Sequence, residues 1–297
     1  QLPFNLWLPS EPAPPSGAPL IIFGHGYTGM ANDGGVYAEA FAASGAITVA
    51  IDADGHGGGK SARIRRSLDG SDAFSVAGRG EDQNADGTIG LAEGWIASWA
   101  EPLFAGMSGG SDGNRQTVLD IVALLDQLLV ADLDGVRIDP SRVYYVGHSN
   151  GGRYGMSLVA NEPRIARAAL LAAPGHGYIP HANSFRQGTR ALLDVWQPLL
   201  TNNPHSVYGL FDEGIPFPGE DPVGLPLGGE RIARLLARQV WNAGDSNGEG
   251  AAHAWSVARA AGATRADLLI QIYPGDVAVP QRDTMRLVDA LSPPPTV

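Results

Sequence analysis

The stretch Val143-Tyr144-Tyr145-Val146-Gly147-His148-Ser149-Asn150-Gly151-Gly152 runs from an apolar strand through a glycine-flanked serine into a helix. Val143–Val146 reads as a buried strand, and residues from about Gly151 to Asn161 as a helix. Between them lies the pattern G-x-S-x-G. Such a bend is so tight that its flanking residues must be small, and the serine is forced into a strained backbone conformation. The hydroxyl is then held out at the C-terminal edge of the sheet, where open α/β sheets bind ligands. The helix that follows turns its N-terminus toward the serine and favours developing negative charge. In a chain with 40 glycines a bare G-x-S-x-G arises by chance. The strand before it and the helix after it give it weight.

Outward from this bend, strand and helix signals alternate. Leu20–Phe23 is a short apolar run ending at Gly24-His25-Gly26, as expected of a strand covered on both faces. A helical stretch follows around Val36–Ala43, then a strand at Ile47–Ile51. Val118, Ile121, Val122, Leu125 and Leu129 have helical spacing within Asn114–Val130. Ala168–Ala172 and Leu268–Ile272 read as later strands, residues 2–8 as an early one, and Gln281–Leu291 as a last helix. Repeated strand–helix–strand order predicts an α/β fold: a mostly parallel central sheet with flanking helices. Residues 53–110 form an irregular, glycine-rich insertion. Residues 175–265 are too long for a simple crossover and read as a cap over the sheet. The core is therefore expected in two parts, 1–174 and 266–297.

Composition narrows the function classes. The formal charge is −11, and an acidic surface repels phosphate backbones, which argues against nucleic acid as a partner. No apolar run reaches the roughly 18 residues of a membrane span. There is no cysteine, which removes disulfides, thiolate metal sites and a cysteine nucleophile together.

Four motifs carry a resemblance: Phe23-Gly24-His25-Gly26-Tyr27, Asn114-Arg115-Gln116, Ile138-Asp139-Pro140-Ser141-Arg142-Val143-Tyr144-Tyr145-Val146-Gly147-His148-Ser149, and Gly275-Asp276-Val277-Ala278-Val279-Pro280. With these the sequence resembles the α/β-hydrolase fold, and within it bacterial extracellular lipases and esterases. The resemblance implies Ser149 as nucleophile and Asp276 as the acid of a triad. It also implies an oxyanion hole formed by the backbone N–H groups of Asn150 and Tyr27. His25 and His56 match structural histidines. Tyr27 also reads as an ordinary loop aromatic and Asp276 as a turn aspartate, with Asp245 in reserve as the acid.

The family order Ser…Asp…His places a base after the acid. All seven histidines (25, 56, 148, 176, 181, 205 and 253) precede Asp276. The family's first and last strands also find no counterpart. The favoured expectation is a second polypeptide piece carrying the last strand and the base, since a missing strand leaves an apolar sheet edge open. The alternatives are a recruited cap histidine, with His253 foremost, or a protein without catalysis.

Residues 82–93, Asp82-Gln-Asn84-Ala-Asp86-Gly87-Thr88-Ile89-Gly90-Leu-Ala-Glu93, match D-x-[DN]-x-[DN]-G-x5-E. Asp82, Asn84 and Asp86 would offer side-chain oxygens, Thr88 its carbonyl and Glu93 a bidentate carboxylate, with Gly87 making the sharp turn. The preceding residues 75–81 do not read as a helix. The expectation is one structural Ca²⁺ loop rather than a paired module; the alternative is a polar turn. Calcium of millimolar affinity suits a secreted or periplasmic protein.

Taken together, the residues predict a carboxylic-ester hydrolase acting on a small-molecule, lipid or polyester ester. A peptidase or thioesterase uses the same site, and a calcium-stabilised binding protein on this scaffold is the non-enzymatic alternative. Trp196, Phe211, Phe217, Trp241 and Trp255 line either an acyl cleft or the core of the cap.

Overall fold

Apolar runs punctuated by glycine become the strands of one sheet. The computed structural model describes residues 2–27, 29–65, 73–82, 87, 89, 103–175, 248–276, 279 and 281–291. Its strands are β1 (Phe4–Trp7), β2 (Ala18–Gly24), β3 (Ile47–Ile51), β6 (Ile138–His148), β7 (Ile165–Leu171) and β8 (Asp267–Gln271). They lie in the order β1-β3-β2-β6-β7-β8. β1 is antiparallel to β3, and every other pairing is parallel. A separate hairpin, β4 (Arg63–Arg65) with β5 (Ala73–Ser75), stands in the insertion.

Burial follows position in the sheet. All five residues of β3 are buried, and so are six of the seven in β2, as expected for strands covered on both faces. β8 alternates exposed and buried, with Asp267, Leu269 and Gln271 outward. Leu20, Ile47, Val143, Ile165 and Leu170 are fully enclosed.

The helices are α1 (Gly35–Ala43), α2 (Leu103–Leu128), α3 (Asn150–Asn161), α4 (Glu249–Ala260) and α5 (Gln281–Asp289). α3 packs on β6 and β7 and lies against both α2 and α4. It is buried from Asn150 through Val159, polar residues included. Trp255 of α4 is 3% exposed and belongs to the core. α2 starts well before the expected Asn114. Gly106, Gly109 and Gly110 depress helix propensity there and hide its first turns. Among the described residues no helix is long and apolar enough to cross a membrane.

Leu170 sits at the centre of this packing, between β6 and β8. Leu170→Ala removes buried methyl groups and leaves a cavity, so unfolding free energy should fall by about 3 kcal/mol. Urea denaturation checks this. A loss below about 1 kcal/mol would contradict a close-packed core at this strand.

Candidate active site

Ser149 has φ 54° and ψ −117°, a conformation rare outside glycine. Strain of this kind costs about 1–3 kcal/mol and persists only where the surroundings enforce it. Here they do. The Ser149 N–H donates to the carbonyl of Leu171 on β7 at 2.8 Å. Its own carbonyl accepts from the N–H of Gly152 at 2.9 Å and of Arg153 at 3.2 Å, opening α3. The flanking glycines are steric necessities. A Cβ on Gly147 would collide with the Gly151 carbonyl, and one on Gly151 with the Gly24 carbonyl. The Tyr145 hydroxyl donates to the Gly151 carbonyl at 2.5 Å. Ser149 itself is half-buried, at the C-terminal end of β6.

The loop leaving β2 passes directly over the serine. A Cβ built on Gly26 would stand 3.3 Å from the Ser149 Cβ. This close approach sets the backbone of Gly26 beside Ser149, one residue before Tyr27. Asn150, next along the chain, is buried at the first turn of α3, where backbone N–H groups lack helical partners.

Two buried histidines hold this loop. Ala53 N–H donates to Nε2 of His25 at 2.8 Å. A ring nitrogen that accepts carries no proton, so the proton sits on Nδ1, which donates to the Gly26 carbonyl at 2.8 Å. Burial pushes the His25 pKa down to about 4, partly opposed by the bond to Gly26 and reinforced by the Arg79 charge. His56 donates from Nδ1 to the Asp54 carbonyl at 2.9 Å. Burial first, then the neighbouring His25, pushes its pKa down to about 3. The His56 ring meets His25 at 5.3 Å and takes Tyr27 edge-on at 5.8 Å, centroid to centroid. Both imidazoles are therefore structural pins.

Arg79 and Thr117 went unmarked in the sequence, and Asn114 stood there only as part of a motif without an assigned role. Arg79 donates to the Asp52 carbonyl at 3.0 Å, to Asp54 at 3.0 Å and to Asp120 of α2 at 2.6 Å. Asp52, at the end of β3, accepts the Ala31 N–H at 2.6 Å. Burial raises its pKa to about 6, with the Ala31 bond and Arg79 acting in the opposite sense. Thr117 of α2 accepts the Asp54 N–H at 2.9 Å. Asn114 of α2 exchanges two amide hydrogen bonds with Asn150, at 3.1 and 3.3 Å. Asn114, Thr117 and Asp120 recur at helical spacing, beside the apolar row Val118, Ile121 and Leu125. That polar row was the legible signal.

Asp276 follows β8, half-buried in the turn Tyr273-Pro274-Gly275-Asp276. Its N–H donates to the Tyr273 carbonyl at 3.2 Å, and its Oδ1 accepts the Val279 N–H at 3.0 Å. Ser149 and Asp276 thus leave the same edge of the sheet with β7 between their strands. His253 is on the exposed face of α4, and His148 is exposed beside Ser149. His176, His181, His205 and Asp245 lie outside the described residues, as do Trp196, Phe211, Phe217 and Trp241.

Of the expected calcium loop, Asp82, Gly87 and Ile89 are described, and Asn84, Asp86, Thr88 and Glu93 are not. Asp82 Oδ2 accepts the Gly87 N–H at 2.9 Å, and Gly87 has φ 85°. A Cβ on Gly59 or Gly80 would strike the Ile89 side chain, so Ile89 packs onto those glycines. Among the described residues no three His, Cys, Asp or Glu side chains cluster to hold a metal.

The histidine pins make stability depend on pH. Their folded pKa values lie below the ordinary 6.5, so the stability they contribute is present above pH 6.5. It is lost as pH falls through about 4 and 3. Asp52 acts oppositely, since its raised pKa costs stability as pH rises from 3.8 through about 6. Asp54, also raised by burial, acts in the same sense as Asp52, and the two depressed histidines together are expected to outweigh the pair. The urea midpoint should therefore fall from pH 7 to pH 4, and less steeply in His56→Asn. A midpoint that holds or rises over that range would refute this balance.

No protein-family model matches the chain, and no curated protein matches its sequence. Similar solved structures do exist. An acetyl xylan esterase from Paenibacillus sp. R4 superposes with a TM-score of 0.58 at 15% identity, over 100% of this chain and 72% of that one. Acetyl xylan esterase 1 from Thermoanaerobacterium sp. JW/SL YS485 gives 0.48 at 18% identity, over 97% and 69%. A monoacylglycerol lipase of Paleococcus ferrophilus gives 0.47 at 14%, over 98% and 85%. Identities this low speak to fold alone, and of these three only the first superposes closely enough to carry weight. The strand order β1-β3-β2-β6-β7-β8, the serine at the bend between β6 and α3, and this likeness together place the chain in the α/β-hydrolase fold.

Proposed function

We propose that the chain is a serine hydrolase of carboxylic esters. One observation carries the reading: Ser149 is held at positive φ between sheet and helix, with the Gly26 backbone against it. In this reading Ser149 Oγ attacks the ester carbonyl carbon and its proton passes to an imidazole. The N–H groups of Asn150 and Tyr27 receive the charge that forms on the carbonyl oxygen. Collapse expels the alcohol, which takes up the proton. Water then attacks the acyl-serine and releases the acid. Asp276 orients the imidazole and stabilises its cation. None of the described residues is assigned the role of that imidazole. The similar Paenibacillus structure is an acetyl xylan esterase, and esters are therefore the substrates proposed ahead of amides and thioesters.

The test compares p-nitrophenyl esters with peptide and thioester substrates, alongside a fluorophosphonate probe. Wild type should favour the esters and label covalently, and Ser149→Ala should lose labelling and at least about 10³-fold in kcat. A folded wild type that neither labels nor turns over ester would instead favour a binding protein on a hydrolase scaffold. The unassigned base is the observation that keeps this second reading.

We also propose that residues 82–93 bind one structural Ca²⁺ through Asp82, Asn84, Asp86, the Thr88 carbonyl and Glu93. The Asp82–Gly87 hydrogen bond and the Ile89 contact fit such a loop. Millimolar calcium outside the cytoplasm would suit it, and with it a secreted or periplasmic protein. Adding calcium to chelator-treated protein should raise the melting temperature by about 5 °C or more, and Asp82→Ala should abolish the rise. An unchanged melting curve would remove calcium from the account.

A further inference from the structure

We infer that Asn114 is a positioning residue for the oxyanion donor Asn150. The inference rests on the ester-hydrolase reading. Asn150 is 5% exposed and Asn114 1%, so neither amide has water to fall back on. Each satisfies the other: Asn150 Nδ2 donates to Asn114 Oδ1 at 3.1 Å, and Asn114 Nδ2 donates to Asn150 Oδ1 at 3.3 Å. A reciprocal pair of this kind fixes the direction of both amides, because each must present a donor and an acceptor together.

The bond fixes more than a side chain. Asn150 is the first residue of α3, and its N–H is the one assigned to the oxyanion. On one side, the Ser149 N–H is tied to Leu171. On the other, the Gly151 carbonyl is tied to the hydroxyl of Tyr145. In the peptide itself, the Ser149 carbonyl accepts from the N–H groups of Gly152 and Arg153, and the Asn150 side chain, held by Asn114, is a further hold on the same residue. Asn114 is itself fixed, since α2 is anchored one turn on by Thr117 to Asp54 and two turns on by Asp120 to Arg79. The donor's direction is therefore set in part from α2, through the side chain of Asn114.

Such a residue acts where charge develops, and little in the ground state. On p-nitrophenyl acetate, Asn114→Ala should lower kcat by about 10- to 100-fold and leave KM within about twofold. A trifluoromethyl ketone, whose tetrahedral adduct puts an oxyanion in the same place, should bind more weakly by a similar factor. Asn114→Asp keeps one acceptor and removes the donor, so it should not rescue. Because Asn114 acts through Asn150, the double variant Asn114→Ala/Asn150→Ala should be no slower than Asn150→Ala alone. Melting curves establish that each variant is folded. Should Asn114→Ala fail to fold, Asn114→Ser, which keeps a shorter polar group, takes its place in the same comparison. An unchanged kcat, a change in KM alone, or losses that multiply in the double variant would overturn the inference and leave the ester-hydrolase reading standing. A wild type inert to ester and to fluorophosphonate would overturn both.

Discussion

The structure depends on one forced bend. Ser149 takes a backbone conformation that an L-residue avoids, and three neighbours keep it there: the Leu171 carbonyl, the first N–H groups of α3, and the packed glycine backbones of residues 24 and 151. These neighbours belong to β7, α3 and β2. The bend is held where β2, β6, β7 and α3 meet. Folding energy from the core is in this way stored as geometry at the sheet edge.

Around the bend, polar groups do what apolar packing cannot. Hydrophobic contacts keep α2 and α3 close but do not fix direction. Direction comes from paired amides, from Thr117 on the Asp54 N–H, and from the Arg79 guanidinium between Asp54 and Asp120. His25 and His56 add rigidity under the loop over the serine, at the cost of burying two imidazoles that must stay neutral. In the proposed reaction, oxyanion donors aligned beforehand would need no reorganisation during it, and this kind of pinning would supply that alignment.

Much of this was legible. Leu20–Phe23, Ile47–Ile51 and Leu268–Ile272 are apolar runs bounded by turn residues, and each became a strand close to its expected limits. Ser149 stood out because the chemistry of the bend demands glycine on both sides. Less legible were the first turns of α2, concealed by glycines, and β4 and β5, whose three residues each are too few to establish a period. His25 and His56 were rightly set apart as structural, though their partners Gly26, Ala53 and Asp54 could not be named.

The sequence by itself determined the order of strands and helices, the buried faces and the serine at the bend, because period and steric demand are local properties of a chain. Tertiary structure alone decided that Asn114 meets Asn150, that Arg79 spans Asp52, Asp54 and Asp120, and that Asp276 shares an edge with Ser149. Those partners stand 25 to 41 residues apart for Arg79 and 36 for the amide pair. A hydrogen bond requires alignment within a few tenths of an ångström, and only the assembled sheet and helices bring distant residues to that precision.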